Sequence, residues 1–113
     1  MAARQPADAD LERLTLDKAA AWLKDKLAYE FMNEALLQQA LTHRSAKGTN
    51  NERLEFLGDS VLQVVMSELV VEARPDATEG RLSRIRSSLV KDTTLSQIAA
   101  ELGIGEHLVL GSG

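Results

Sequence analysis

The stretch Asn51-Glu52-Arg53-Leu54-Glu55-Phe56-Leu57-Gly58-Asp59-Ser60-Val61-Leu62 decides the fold. It opens an apolar-periodic run that continues to Ala73 and is halted by Pro75, which cannot continue a helix. Set on a wheel at about 100° per residue, with Glu52 at the origin, Glu55 falls near −60° and Asp59 near −20°. Three carboxylates thus share a strip about 60° wide over two turns. Arg53, Ser60, Gln63 and Ser67 extend that polar side. Leu54, Leu57, Val61, Leu62, Val64, Val65 and Leu69 fill the other, a wide apolar face suited to the centre of a helical bundle.

On spacing alone, the favoured reading of the acids is the solvated side of an amphipathic helix. Three features pull the other way. Like charges three and four residues apart repel, and a divalent cation turns that repulsion into affinity, since carboxylate oxygens are its natural ligands. Phe56 falls near +40°, beside the acids, where an exposed ring calls for a partner surface. Gly58, mid-helix, costs about 1 kcal/mol against alanine and suits a close approach by a helix or ligand.

Working outward, the pattern is helical almost throughout. Leu16, Ala20, Leu23 and Leu27 recur at helical spacing. Asn33 is placed to cap a second helix with Leu36, Leu37, Ala40 and Leu41 on its buried side. Ser45 to Asn51 is a polar break. Asp76 and Glu79 have capping-box spacing before a helix carrying Leu82, Ile85 and Leu89. Asp92 is placed to cap a last helix, with Leu95, Ile98, Ala99 and Leu102 inside and Gly103 as its stop. No strand pattern, internal repeat or low-complexity tract stands out. The expected class is all-α, in one domain.

Residues 1–10, polar and alanine-rich with Pro6, read as a flexible N-terminal tail ahead of a domain over 11–113. The chain has 113 residues, 44% hydrophobic and 27% charged, with aromatics at only 4%, so its core must be aliphatic. Without cysteine it has no disulfide framework and no cysteine zinc site. No apolar run approaches the ~20 residues that span a bilayer, and Met1 to Asp10 has no signal-peptide pattern, so a cytoplasmic protein without membrane contact is expected. The net charge of −4 and pI near 5.1 argue mildly against a generic nucleic-acid binder. Any RNA contact must be local. Arg81, Arg84, Arg86 and Lys91 lie together without an intervening acid, and Arg81, Arg84 and Lys91 share one side of their helix. They suit phosphate contacts, though an ordinary solvated basic face is as good a reading of any one of them. The lack of aromatic platforms fits duplex RNA better than single strands.

The twelve-residue stretch resembles the signature of the ribonuclease III family. Leu37-Gln38-Gln39-Ala40-Leu41-Thr42-His43-Arg44-Ser45 resembles the segment before it, and Glu79-Gly80, Leu82-Ser83-Arg84-Ile85-Arg86 and Ser88-Leu89-Val90 the helix after it. The resemblance runs from about residue 22 to Gly113. It implies the all-helical endonuclease bundle of that family, a homodimer whose two Mg²⁺-bound sites cut double-stranded RNA to 5′-phosphate and 3′-hydroxyl ends, with Mn²⁺ as a substitute metal. By this resemblance Glu55 is a metal ligand, and Asp59 is the active-site aspartate that holds the metal-bound water. Glu52 and Glu79 shape the cleavage site and its RNA contact, where Arg81 and Arg84 are expected to touch phosphates. Phe56 inserts into the opposite subunit. Substrates would be structured precursors such as ribosomal and messenger RNA, with no small-molecule substrate. His43 is expected to be structural or a helix-end contact, and His107 a surface residue.

The chain departs from the family pattern at its end. The second acidic pair, Asp and Glu three apart on a later helix, is missing, since only Asp92, Glu101 and Glu106 follow Glu79. The double-stranded RNA-binding domain is missing too. Gly111-Ser112-Gly113 matches the loop before the missing helix. The expectation is therefore a C-terminally incomplete bundle, with Leu108, Val109 and Leu110 left uncovered, marginal stability and doubtful activity as it stands. The competing reading is a non-catalytic helical module that dimerises or binds RNA without cutting.

Overall fold

A computed structural model of the chain describes residues 6–111. The order of elements is α1 (Pro6–Leu27), α2 (Glu34–Ala40), α3 (Glu52–Ala73), α4 (Glu79–Val90), α5 (Asp92–Leu102) and a 3₁₀ turn (Ile104–His107). The all-α expectation is what the structure shows. The only strand-like pairing among the described residues is an isolated parallel bridge between Thr42 and Val109. No helix among these residues is long and apolar enough to cross a membrane. Packing gathers the chain into two compact units. One joins the residues up to Asn51 with the segment from Glu106, and the other is Glu52–Gly105. Each gathers helices that are neighbours in sequence: α1 with α2, and α3 with α4 and α5.

In the first unit, α1 begins at Pro6, so residues 6–10 are helical rather than tail, and the rest of that segment lies outside the described residues. Proline is well suited to a first helical turn, because its missing N–H has no intrahelical acceptor there. Ala19, Leu23, Leu37 and Leu41 are buried and form the small core between α1 and α2. Leu27 and Leu36, expected inside, are exposed. α1 ends with Ala28 at φ 53°, its N–H donating to the Lys24 carbonyl at 3.1 Å. This is a left-handed stop normally given to glycine, which is why the sequence pattern does not announce it. Asn33 caps α2 as expected, its side-chain oxygen accepting from the Ala35 N–H at 3.0 Å.

Arg13 ties α1 to α2. Its guanidinium donates to both carboxylate oxygens of Glu34, at 2.7 and 2.8 Å, and through Nε to Asp17 at 3.0 Å. The paired geometry suits a planar fork. All three side chains are about half exposed, so the link fixes register more than it adds stability. The Arg13 hydrogen bonds to Glu34, and then its charge, hold the Glu34 carboxyl below its ordinary range, and a separate Arg13 hydrogen bond lowers Asp17.

In the second unit, α3 stops at Ala73, ahead of Arg74-Pro75, as the proline requires. The cap of α4 is Thr78 and not Asp76: its hydroxyl accepts from the Arg81 N–H at 3.3 Å, while Asp76 stays in the preceding turn. Asp92 likewise lies in the first turn of α5 and does not cap it. The N-cap position is Lys91, with no side-chain bond, and Asp92 acts through its charge on the helix dipole. Gly103, at φ 73°, closes α5 as expected. Arg86 donates to the Ser67 hydroxyl at 2.8 Å across α4 and α3, and Thr94 donates to the Ser88 carbonyl at 2.9 Å.

The apolar face of α3 is far more open than a bundle centre. Val70 is its one buried residue, whereas Leu57, Val61, Val64, Val65 and Leu69 are exposed. Leu89 and Ile98 are exposed as well. The physical reason is angular: the apolar arc of α3 is wider than one neighbouring helix can cover.

Because the lowered carboxyls of Glu34 and Asp17 favour the folded state only while ionised, their contribution is present at neutral pH. It is lost as pH falls through their lowered values. A carbon-detected NMR titration is expected to place the Glu34 midpoint below that of an ordinary glutamate, and Arg13→Gln to move it back up. A midpoint that ignores the substitution would mean the fork is not formed in solution.

Candidate functional site

The strip read from the sequence is present on α3. Glu52 and Glu55 occupy its first turn and Asp59 follows one turn after Glu55. All three are exposed. The first two are favoured by the helix N-terminus, whose partial positive charge offsets their repulsion, while Asp59 lies deeper and gains less. Glu52 has a partner, and among the described residues neither Glu55 nor Asp59 takes part in an ion pair. Those two carboxylates, four residues apart and about 6 Å along the axis, face solvent on one side of one helix. Hard oxygen donors in this number match what Mg²⁺ takes from proteins: one or two carboxylates, with waters and substrate phosphates completing the shell.

Phe56 sits beside them, 80% exposed, as the wheel required. Gly58 differs from expectation: nothing lies within 4 Å of where its side chain would begin, so no part of this chain makes the close approach.

The remaining candidates are not gathered around the strip. The short connection after Ala73 makes α4 run back antiparallel to α3, and the Arg86–Ser67 bond fixes the alignment. Glu79, exposed at the start of α4, is therefore level with the C-terminal end of α3. That is about 20 Å along the axis from Asp59, at 1.5 Å per residue. Arg81 and Arg84 are exposed and, at about 100° per residue, lie on the side of α4 away from the Arg86 contact with α3. Arg86 is committed to Ser67 and is half-buried. Among the described residues no group of three or more His, Asp or Glu side chains comes together in a way that could hold a metal ion.

His107, expected on the surface, is half-buried, its ring 4.9 Å from that of Trp22. His43 is exposed, and its Nδ1 lies 3.1 Å from the Ser45 N–H nitrogen and 2.8 Å from the Ser45 hydroxyl. The sequence reading gave Ser45 no role. Its spacing of two residues from His43 was the available signal.

A family model described as ribonuclease-III-like matches residues 33–113. Ribonuclease 3 of Methylococcus capsulatus is 57% identical over 91 residues, which are 80% of this chain and 40% of that protein. Ribonuclease 3 of Shewanella denitrificans is 55% identical over 96 residues, 85% of this chain and 42% of that one. The solved nuclease domain of ribonuclease III from Campylobacter jejuni superposes with a TM-score of 0.75 at 42% identity, covering 80% of this chain and 64% of that domain. That structure is described as flexible in the region involved in dimer formation. The chain belongs to the ribonuclease III family. It spans about two fifths of the length of these relatives.

Removing the charge of Asp59 relieves a repulsion that no ion pair among the described residues offsets. Asp59→Asn is expected to raise the metal-free unfolding midpoint slightly, consistent with about 0.2–0.5 kcal/mol for one like-charge pair. Thermal melts by circular dichroism in EDTA check this, and a lower midpoint would mean that Asp59 has a structural partner.

Proposed function

We propose that this chain is the carboxylate-bearing part of a divalent-metal-dependent endoribonuclease that cuts double-stranded RNA, leaving 5′-phosphate and 3′-hydroxyl ends. The observation that carries the reading is the exposed, unpaired Glu55/Asp59 pair on α3, inside the stretch by which the chain resembles ribonuclease III. Relatives named ribonuclease 3, 57% and 55% identical over 91 and 96 residues, support it. Glu55 and Asp59 would hold Mg²⁺, or Mn²⁺ in its place. Bound there, the metal supplies a nucleophile from water near neutral pH and neutralises charge on the phosphate. Glu52 helps shape the site from the first turn. Arg81 and Arg84 neutralise backbone phosphates and so position the duplex without reading its sequence. Glu79 belongs to the RNA contact rather than to the metal, which suits its distance along the hairpin.

A homodimer completes the reading. Phe56 stands exposed next to the carboxylates, and the apolar arc of α3 is open over several turns, as an interface between two copies needs. Ribosomal and messenger RNA precursors are the proposed substrates, in the cytoplasm. The domain assignment is proposed on the same grounds: residues 11–113 are part of a ribonuclease III endonuclease domain.

One observation favours a second reading for the chain as it stands. No third acidic or histidine ligand joins Glu55 and Asp59 among the described residues, which suits a module that dimerises or binds RNA without cutting.

Incubating the purified, folded chain with a long labelled RNA duplex separates the two. The endonuclease reading expects Mg²⁺-dependent fragments with 5′ phosphates, absent in EDTA and lost in Asp59→Asn. A chain that binds the duplex and leaves it whole in Mg²⁺ supports the second reading.

A further inference from the structure

Between α2 and α3 the chain folds into a small hub that holds two stretches far apart in sequence. On one side, Asn51 donates from its backbone to the Thr42 carbonyl at 3.0 Å and from its side chain to the Ala40 carbonyl at 3.0 Å. Gln39 donates to the Asn50 carbonyl at 3.2 Å. The residue that follows Asn51 is Glu52, the first of the strip. On the other side, Val109 donates to the Leu41 carbonyl at 2.8 Å and accepts from the His43 N–H at 2.9 Å. Two residues later, the Gly111 N–H donates to the Ser45 hydroxyl at 2.9 Å.

Ser45 is the pivot of the second set. Its N–H donates to His43 Nδ1, so that nitrogen must carry a lone pair and the ring proton must sit on Nε2. Its hydroxyl accepts from Gly111 and points its own hydrogen at the same Nδ1, 2.8 Å away. The hydroxyl is therefore both donor and acceptor, with its geometry set by the imidazole. Gly111 fits because its backbone passes directly against the Ser45 carbonyl. A side chain there would collide with backbone and not with a flexible side chain.

We propose that His43 and Ser45 are positioning residues: a hydroxyl–imidazole clasp that pins Gly111 to the segment that follows α2. The buried Thr42 sits between the two sets, and its hydroxyl donates back to the Gln38 carbonyl at 2.6 Å, which stiffens the hub. The clasp uses one hydroxyl, one lone pair and one glycine. It depends on no metal and no RNA, so it stands or falls separately from the endonuclease reading.

Long-range proton–nitrogen NMR of the unaltered chain reads the His43 ring directly. The clasp requires an unprotonated Nδ1 and a protonated Nε2 in the neutral ring, and the opposite tautomer overturns it without any substitution. Amide exchange then tests the consequence. Loss of one hydrogen bond is expected to speed Gly111 exchange about tenfold in Ser45→Ala. The Asn51 and Val70 amides should stay as they were, and Ser45→Thr, which keeps the hydroxyl, should restore Gly111. Unchanged Gly111 exchange in Ser45→Ala, or a Ser45→Thr variant as fast as Ser45→Ala, contradicts the proposal.

Discussion

Like charges crowded on one strip of α3 set the terms for everything else in this chain. Glu52, Glu55 and Asp59 repel one another, and only the first turn receives compensation from the helix dipole. A helix selected for stability alone would intersperse lysine or arginine at these spacings. An acidic, exposed strip gives up a little stability, and under the proposed function what it gains is a surface for a divalent cation.

The same helix carries more apolar arc than its own unit covers. α4 lies along one side and α5 packs on α4, yet Leu57, Val61, Val64, Val65 and Leu69 stay open to solvent. Membership in the ribonuclease III family, together with the chain's span of two fifths of its relatives, gives that face a setting. Apolar surface of this extent next to an exposed Phe56 is what the proposed homodimer would cover.

Much of this was legible in the sequence where a single residue type has one strong physical meaning. Pro75 had to end α3, Gly103 had to end α5, and Asn33 had to cap α2. The wheel placed Phe56 and the acids together because helical periodicity is rigid. Legibility failed where several residues could serve. Asp76, Thr78 and Asp92 are all competent caps, and only backbone geometry decides that Thr78 alone bonds. Ala28 ends α1 in a conformation alanine does not advertise. Exposed Leu27, Leu36, Leu89 and Ile98 follow the periodic pattern, but burial depends on how many neighbours each helix has, which periodicity does not encode. The distance of Glu79 from Asp59 was hidden for a similar reason, since a motif fixes residues along the chain and the hairpin fixes them in space.

The account rests on the claim that the acidic strip of α3 is where a divalent cation binds. Titrating the ¹⁵N-labelled chain with Mn²⁺ tests it most directly, because the paramagnetic ion broadens amide signals near its site. The account predicts selective broadening of amides between Asn51 and Gln63, competed away by Mg²⁺ and abolished in a Glu55→Gln/Asp59→Asn variant that keeps its helical spectrum. Broadening centred on another acidic group, such as Asp17 and Glu34, or none at concentrations that support catalysis by metal-dependent nucleases, would contradict it.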